Sequence, residues 1–415
     1  MTSAGESPEG GPSDLGYTVA EARRQMAAAV PVLPAEEVPL DRECTGRVLA
    51  EPVHARVLLP PFDNSAMDGY AVMAQDLIQV PVRLPVVGEM AAGSPPGSVS
   101  IESGTCAKVM TGGPLPDGAD SVVPYEWTDR GAAEVLIRQR PDLGNAVRRA
   151  GEDLRPGVEV FGRGHRLRPT DLAPLAATGL EGVLVGQRPK VALVTTGDEI
   201  RPPGTKLGPG QIYDTAGAAL GAQIGAAGGL LVQRRWVGDD PEAVREVLGR
   251  AAAEADLLVT VGGVSVGDHD HVRETVERLG RLQLWRVAMR PGRPVSFGSL
   301  GNCAFLGLPG NPVSAAVTFI LFGVPCLLQM QGARRIAPPT LLAELLEDID
   351  KPEGLETFHR AVLQARSGQL PGVRLAGNQS SGATISLALA DGIMALPAAG
   401  DHLGAGATVE VIPLG

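Results

Sequence analysis

Three apolar runs, each ending in a glycine- or proline-rich turn, constrain this chain most: "KVALVTTGDE" (190–199), "ADLLVTVGGVSVGD" (255–268) and "CAFLGLPGNP" (303–312). Runs of this length and β-branched content read as buried strands. Between the first two, the pattern predicts helices over 216–227 and 240–255. The second helix opens with Asp240 as N-cap and Pro241 at the first helical position, a strong start signal. Strands that alternate with helices predict a parallel sheet covered on both faces, a doubly wound three-layer α/β domain.

The flanks have other textures. "TVAEARRQMAAAV" (18–30) has a Thr N-cap, an acid in its first turn and helical apolar spacing. From Glu51 to Val147, short β-type runs ("VRLPVVGEM", "TCAKVM", "SVVPYEW", "AEVLIR") alternate with Gly/Pro turns, which predicts a β-rich domain. A short helix is expected from Thr170, and beyond Pro338 short strands return in "FHRAVLQA", "GIMALPAA" and "ATVEVIPL". The first sixteen residues, rich in Gly, Pro, Ser and Glu, read as a disordered tail. The longest apolar run, Val313–Met330, contains Ser314, Thr318, Gly323 and Pro325, and it reads as a buried helix ending near Pro325 rather than a membrane span.

Charge and cysteine usage exclude some functions. With 36 basic against 47 acidic residues the net charge is −11, which disfavours nucleic acid and anionic membranes as partners. Four scattered cysteines without a CxxC pair disfavour a disulfide framework or a cysteine zinc site and fit a reducing cytoplasm. No GxSxG elbow or GxxxxGK[ST] loop is present.

The chemistry is expected at the strand ends, because open α/β sheets bind ligands beyond their carboxyl edges. There the chain offers Thr195, Thr196, Gly197, Asp198 and Glu199; then Gly262, Gly263, Ser265, Gly267, Asp268 and Asp270; then Gly310, Asn311 and Ser314. Glycines admit an anion to backbone amides, and helix starts favour negative charge. The carboxylates would repel that anion unless a hard divalent cation bridges them, so a phosphate- or oxyanion-containing ligand with Mg2+ is expected. "WRVAMRPGRPVSFG" adds Arg286, Arg290 and Arg293, whose forked guanidiniums suit tetrahedral oxyanions. His269 and His271 lack a third metal ligand at useful spacing. Trp285 reads as packing sooner than as a stacking surface for a pterin ring.

"FDNSAMDGYAV", "MTGGPLPDGAD", "RRAGED", "VTTGDE", "GQIYDT", "GGVSVGDHD", "PGRP" and "LPGNPVSA" follow one another in this order, and the chain from Thr18 onward resembles the molybdopterin molybdotransferase (MoeA) family, related to the E domain of gephyrin. The resemblance implies an elongated first domain in two segments, 17–50 and 148–186, and a β-rich inserted domain, 51–147. It further implies an α/β molybdopterin-binding domain, 187–333, and a C-terminal small β-barrel, 334–415. It implies a cytoplasmic homodimer with each active site between subunits, and transient contact with a molybdopterin adenylyltransferase and molybdoenzyme acceptors. The implied reaction inserts molybdate into adenylylated molybdopterin and releases AMP, with Mg2+.

By the same resemblance, Glu199, Asp239 and Asp270 hold the metal and orient ligand, and Asp68, Thr111 and Asp153 match functional positions of the other domains. Arg286, Arg290 and Arg293 match a basic cluster that is usually lysine. Pro309–Ser314 match an oxyanion loop, and Arg360 and Ser381 match last-domain positions, the latter within the loosely matching "GNQSSGA". Thr195 stands where serine is commoner. In the opening motif Asp68 would act across the dimer interface, with Phe62 and Tyr70 packing the loop and Asp63 and Asn64 capping the turn. Two other functions stay open: a molybdopterin adenylyltransferase, whose fold resembles the α/β domain, and a gephyrin-like scaffold with residual catalysis.

Overall fold

The structure is a computed structural model that describes residues 16–263 and 271–414, without the side chains of Leu284 and Trp285. Ser265, Gly267, Asp268, His269, Asp270 and the N-terminal fifteen residues therefore lie outside the described residues, as does the Trp285 side chain.

At the centre is a six-stranded sheet in the order Leu230–Val237, Lys190–Thr196, Leu257–Val261, Cys303–Leu308, Ser296–Leu300, Gly280–Trp285. The first four strands are parallel; the last two run antiparallel to their neighbours. The sheet is thus mixed, not purely parallel as the sequence predicts. The segment read as an arginine-rich turn hides the antiparallel pair around it. Alternation along Lys190–Thr196 feeds two cores. Val191 and Leu193 join one with the helices Thr215–Ala226 and Pro312–Thr318. Ala192 and Val194 join the other with Pro241–Glu254 and His271–Leu279. Both predicted N-caps are real: Thr18 forms a capping box with Glu21 at the head of Val19–Ala29, and Asp240 accepts from the Ala243 N–H at 2.8 Å.

The long apolar helix corrects a second expectation. Pro312–Thr318 does not stop at Pro325 but continues through a π-helical turn, Phe319–Gly323, into Val324–Met330. The wider turn absorbs the amide that proline lacks. This helix has the length and hydropathy of a membrane span, yet 83% of its apolar window is buried within the protein, where the core takes up its hydrophobicity. Part of that cover is the helix Val19–Ala29, whose Val19, Ala22 and Met26 lie in the same core.

The C-terminal residues form a closed barrel. Glu356–Gln364, Gly372–Leu375, Leu341–Leu345, Thr408–Pro413 and Gly392–Leu396 pair in turn, and the last returns to the first. The short strand Met289–Arg290 adds to this barrel in parallel, Met289 opposite Glu356 and Arg290 opposite Thr357. A five-stranded sheet, Ser121–Pro124, Gly69–Val72, Cys106–Val109, Val82–Met90 and Glu134–Ile137, forms the β-rich region. Elsewhere Ala35–Pro39 pairs antiparallel with Gly182–Gly186, which joins two stretches far apart in sequence.

Candidate functional site

The chain leaves Lys190–Thr196 for a neighbour on one side, then returns to Leu257–Val261 on the other, so a crevice opens where the connections diverge. A cleft of about 620 Å3 lies there. Thr195, Thr196, Gly197, Glu199, Asp239, Gly262, Gly263, Pro309, Gly310 and Asn311 all line it, together with Asp214 and Tyr213. Ten predicted residues from four separate stretches thus share one cleft.

Its floor is held rigid by buried bonds. Thr195 Oγ1 donates to Asp214 at 3.3 Å, and Arg234 donates to the same carboxylate at 2.8 Å. Asp214 also caps the helix Thr215–Ala226 by accepting from the Gly217 N–H at 2.7 Å. The Trp236 indole N–H donates to the Gly197 carbonyl at 2.9 Å, with Arg201 4.7 Å from the ring, and this pins the first loop. Gly262 and Gly263 have positive φ (91° and 63°), and a Cβ on Gly263 would lie 2.5 Å from Val272 Cγ2. At the rim, the exposed carboxylates of Glu199 and Asp239 form no ion pair among the described residues. Asp239 accepts from the Asp198 N–H at 3.2 Å.

A second cavity, of about 730 Å3, lies between the α/β domain and the barrel. It shares Pro294, Pro309 and Asn311 with the first, so the two adjoin. Arg290, Arg293, Ser314, Arg360 and Ser381 line it, together with Thr357, His359 and Gln379. Two backbone links build it: the pairing of Met289–Arg290 with Glu356–Thr357, and a hydrogen bond from the Val313 N–H to the Ser381 carbonyl at 3.2 Å. Arg360 is only 1% exposed; it donates to the Asn378 and Ser380 carbonyls, both at 3.0 Å, and to Ser386 Oγ at 3.2 Å. Its guanidinium thereby clasps the Asn378–Ser381 loop against the barrel.

Other predicted residues lie elsewhere. Arg286 lines neither cavity; it has φ of 73°, and its carbonyl accepts from the Tyr17 N–H at 3.3 Å. Asp68 Oδ1 accepts from the Thr111 N–H at 2.7 Å and from its hydroxyl at 2.8 Å, and these bonds hold the Asp68 carboxyl below the ordinary range. That pair and Asp153 are exposed and line neither cavity of their own chain. Tyr70 packs as expected, 1% exposed, with its hydroxyl donating to the Gly131 carbonyl at 2.8 Å; Phe62 is only half-buried. The turn is capped by Ser65, which accepts from the Met67 N–H at 3.3 Å. Asp63 instead reaches to Arg149 at 2.6 Å and the Ala150 N–H at 2.8 Å. It ties the turn to a distant segment rather than capping it locally. His271 begins its helix, 3.9 Å from the Glu274 carboxylate. The four cysteines are buried, and burial pushes the thiols of Cys106, Cys303 and Cys326 up to about 12.

Sequence reasoning passed over Asp214, Thr357, His359 and Gln379. Asp214 sits inside "GQIYDT" and could have been found as the N-cap of the predicted helix. The other three face the cavity only because of the barrel's closure, which no local pattern reveals.

A doubly wound domain with a glycine-lined switch-point cleft, a closed barrel docked beside it and a β-rich region upstream define a multidomain protein of the molybdopterin-binding kind. Residues 17–179 match the family described as the MoeA N-terminal region (domain I and II). Residues 192–329 match the probable molybdopterin binding domain, and residues 343–414 the MoeA C-terminal region (domain IV). A molybdopterin molybdenumtransferase 2 of Mycobacterium tuberculosis is 36% identical over 404 residues, covering 95% of this chain and 98% of its own. A molybdopterin molybdenumtransferase of Haemophilus influenzae is 33% identical, with coverage of 95% and 98%. A crystal structure of a MoeA protein from Pyrococcus horikoshii superposes with a TM-score of 0.75 at 32% identity, covering 96% of this chain and 99% of that one. The chain belongs to the MoeA family of molybdopterin molybdenumtransferases and is an enzyme of molybdenum cofactor biosynthesis.

Proposed function

We propose that the enzyme inserts molybdate into adenylylated molybdopterin and releases AMP, in a Mg2+-dependent reaction. The adjoining of the two cavities through Pro294, Pro309 and Asn311 carries this reading. Each has the volume of a small-molecule site, and their chemistry differs as two reactants require. The first cleft offers backbone amides, threonines and a helix start for a phosphate-bearing pterin. The second offers Arg290 and Arg293 for a tetrahedral dianion.

The donor set fits Mg2+. Glu199 and Asp239 supply hard oxygen ligands uncommitted to any cation among the described residues, and Asp270, outside those residues, is the third acid that the family resemblance implies. Bound there, Mg2+ would offset negative charge on the phosphoanhydride. The protein's own work is positioning. Gly197, Gly262 and Gly263 let the backbone approach the phosphates, while the arginines hold molybdate at the shared wall. No nucleophilic side chain is needed, in keeping with the inert thiols.

The location is proposed to be the cytoplasm and the working form a homodimer. Asp68 with Thr111, and Asp153, line neither cavity of their own chain, and a second copy would bring them to the shared site. Hand-over partners would be the adenylyltransferase that supplies the pterin and the apo-molybdoenzymes that accept the product.

The test is AMP release from adenylylated molybdopterin by purified protein. Release that requires both molybdate and Mg2+ is expected. Release unaffected by omitting molybdate, or ATP consumption in place of AMP release, would overturn the reading in favour of adenylyl chemistry.

A further inference from the structure

The wall of the second cavity holds more unsatisfied polar chemistry than its arginines explain. Thr357 and His359 stand two residues apart on the strand Glu356–Gln364, so they share a face. Thr357 Oγ1, both ring nitrogens of His359 and Nε of Arg293 are shut off from solvent and have no hydrogen-bond partner among the described residues. All three residues line the cavity. A buried polar group left unpaired costs about 1–3 kcal/mol, so four such atoms in one wall mark a place where a ligand supplies the missing partners.

Gln379 lies close enough to the imidazole to raise its pKa as a hydrogen-bonding neighbour, but that contact falls short of good hydrogen-bond geometry and the amide is committed elsewhere. Its amide donates to the carbonyls of Arg360, Ala376 and Gly377, and its oxygen accepts from the Arg360 N–H. The charged groups around the ring are Arg290, Arg293, Arg360 and one carboxylate, Asp350. Asp350 in turn bonds His402 at 2.8 Å. Burial holds the His359 pKa below its ordinary value against the opposing effect of Gln379, and the charges of Arg360 and Arg290 add to the lowering. The ring is therefore neutral near pH 7 unless an anion balances the arginines.

We propose that His359, with Thr357 beside it, positions the oxyanion in this cavity and takes up one proton from solvent when a tetrahedral dianion enters. No other bond changes: a ring nitrogen gains the proton and donates it in a hydrogen bond to an anion oxygen. The arginines cannot supply this response, because they stay protonated throughout. The inference rests on the reading that molybdate occupies this cavity.

Titration calorimetry with sodium molybdate, in buffers of different ionisation enthalpy between about pH 6 and about 8.5, counts the protons taken up. Uptake approaching one proton per molybdate is expected, with affinity falling by up to about tenfold per pH unit as pH rises through the bound-state pKa. H359Q should bind about tenfold more weakly and lose the uptake. T357V should bind a few-fold more weakly and keep it. H402Q should keep both, which excludes the other histidine in reach. Zero uptake by the unaltered protein, or H359Q matching it in affinity and proton count, overturns the inference while leaving the cavity's role intact. Failure of the unaltered protein to bind molybdate at all overturns the cavity reading as well.

Discussion

The two adjoining cavities are built by different means. The first belongs to one domain and follows from its sheet: four parallel strands, a reversal of direction after the first, and glycines where strands become loops. The second exists only where two domains meet, at a seam that includes a two-residue strand pairing, a backbone hydrogen bond and a shared apolar core reached by Phe358, Ile393 and Ile412. The first is rimmed by Glu199 and Asp239, which have no cationic partner among the described residues; the second is walled by arginines and, among the described residues, unpaired buried polar atoms. A topological cleft is robust and general, whereas a seam between domains can be adjusted to one anion. Under the proposed function, metal and phosphate would fall to the first and oxyanion capture to the second.

The division of labour can be broken by substitution. Glu199→Ala, and separately Asp270→Ala, should lower AMP release roughly a hundredfold or more while molybdate binding by calorimetry stays within about twofold. Equal loss of both would show that the cavities are not separate in function. Arg293→Ala should do the converse, weakening molybdate binding roughly tenfold or more and raising the KM for molybdate more than it lowers kcat. Mixing Glu199→Ala with Asp68→Ala protein after subunit exchange should restore about one quarter of full activity if each site draws on two copies. No recovery would confine the site to one chain. Arg360→Met, which removes three hydrogen bonds made by a buried guanidinium, should cost about 3 kcal/mol of stability, read as a lowered Tm, and should disturb the second cavity before the first. The smallest effect is expected from Thr195→Ser, within about threefold in rate, since the hydroxyl that reaches Asp214 is retained.

The same contrast explains what could be read from the chain. Strand-end turns and N-caps are local events, so Thr18, Asp240 and the residues of the first cleft were legible one stretch at a time. The strand Leu230–Val237 was not, because it lies at a sheet edge and carries Arg234 and Arg235 where an apolar run would announce it. Ser296–Leu300 and Gly280–Trp285 were masked by the arginine- and proline-rich segment between them. Continuation of the apolar helix through Pro325 depends on a π-turn that no spacing rule anticipates. His359 looks like any polar residue in an alternating strand until the docked barrel brings it into one cavity with Arg290 and Arg293. The Asp63–Arg149 tie spans 86 residues, beyond any window that reads turns.

The parallel addition of Met289–Arg290 to the barrel has one more consequence. On the proposed reading, the Arg290 guanidinium that would meet the anion takes its position from a scaffold that contributes no carboxylate to the proposed metal site. Drift in barrel sequence, or a slipped register at Glu356–Thr357, would retune which mineral anion is captured while the pterin-facing loops stay untouched. Choice of inorganic cargo and choice of organic carrier could then diverge independently across relatives, each under the control of a different stretch of chain.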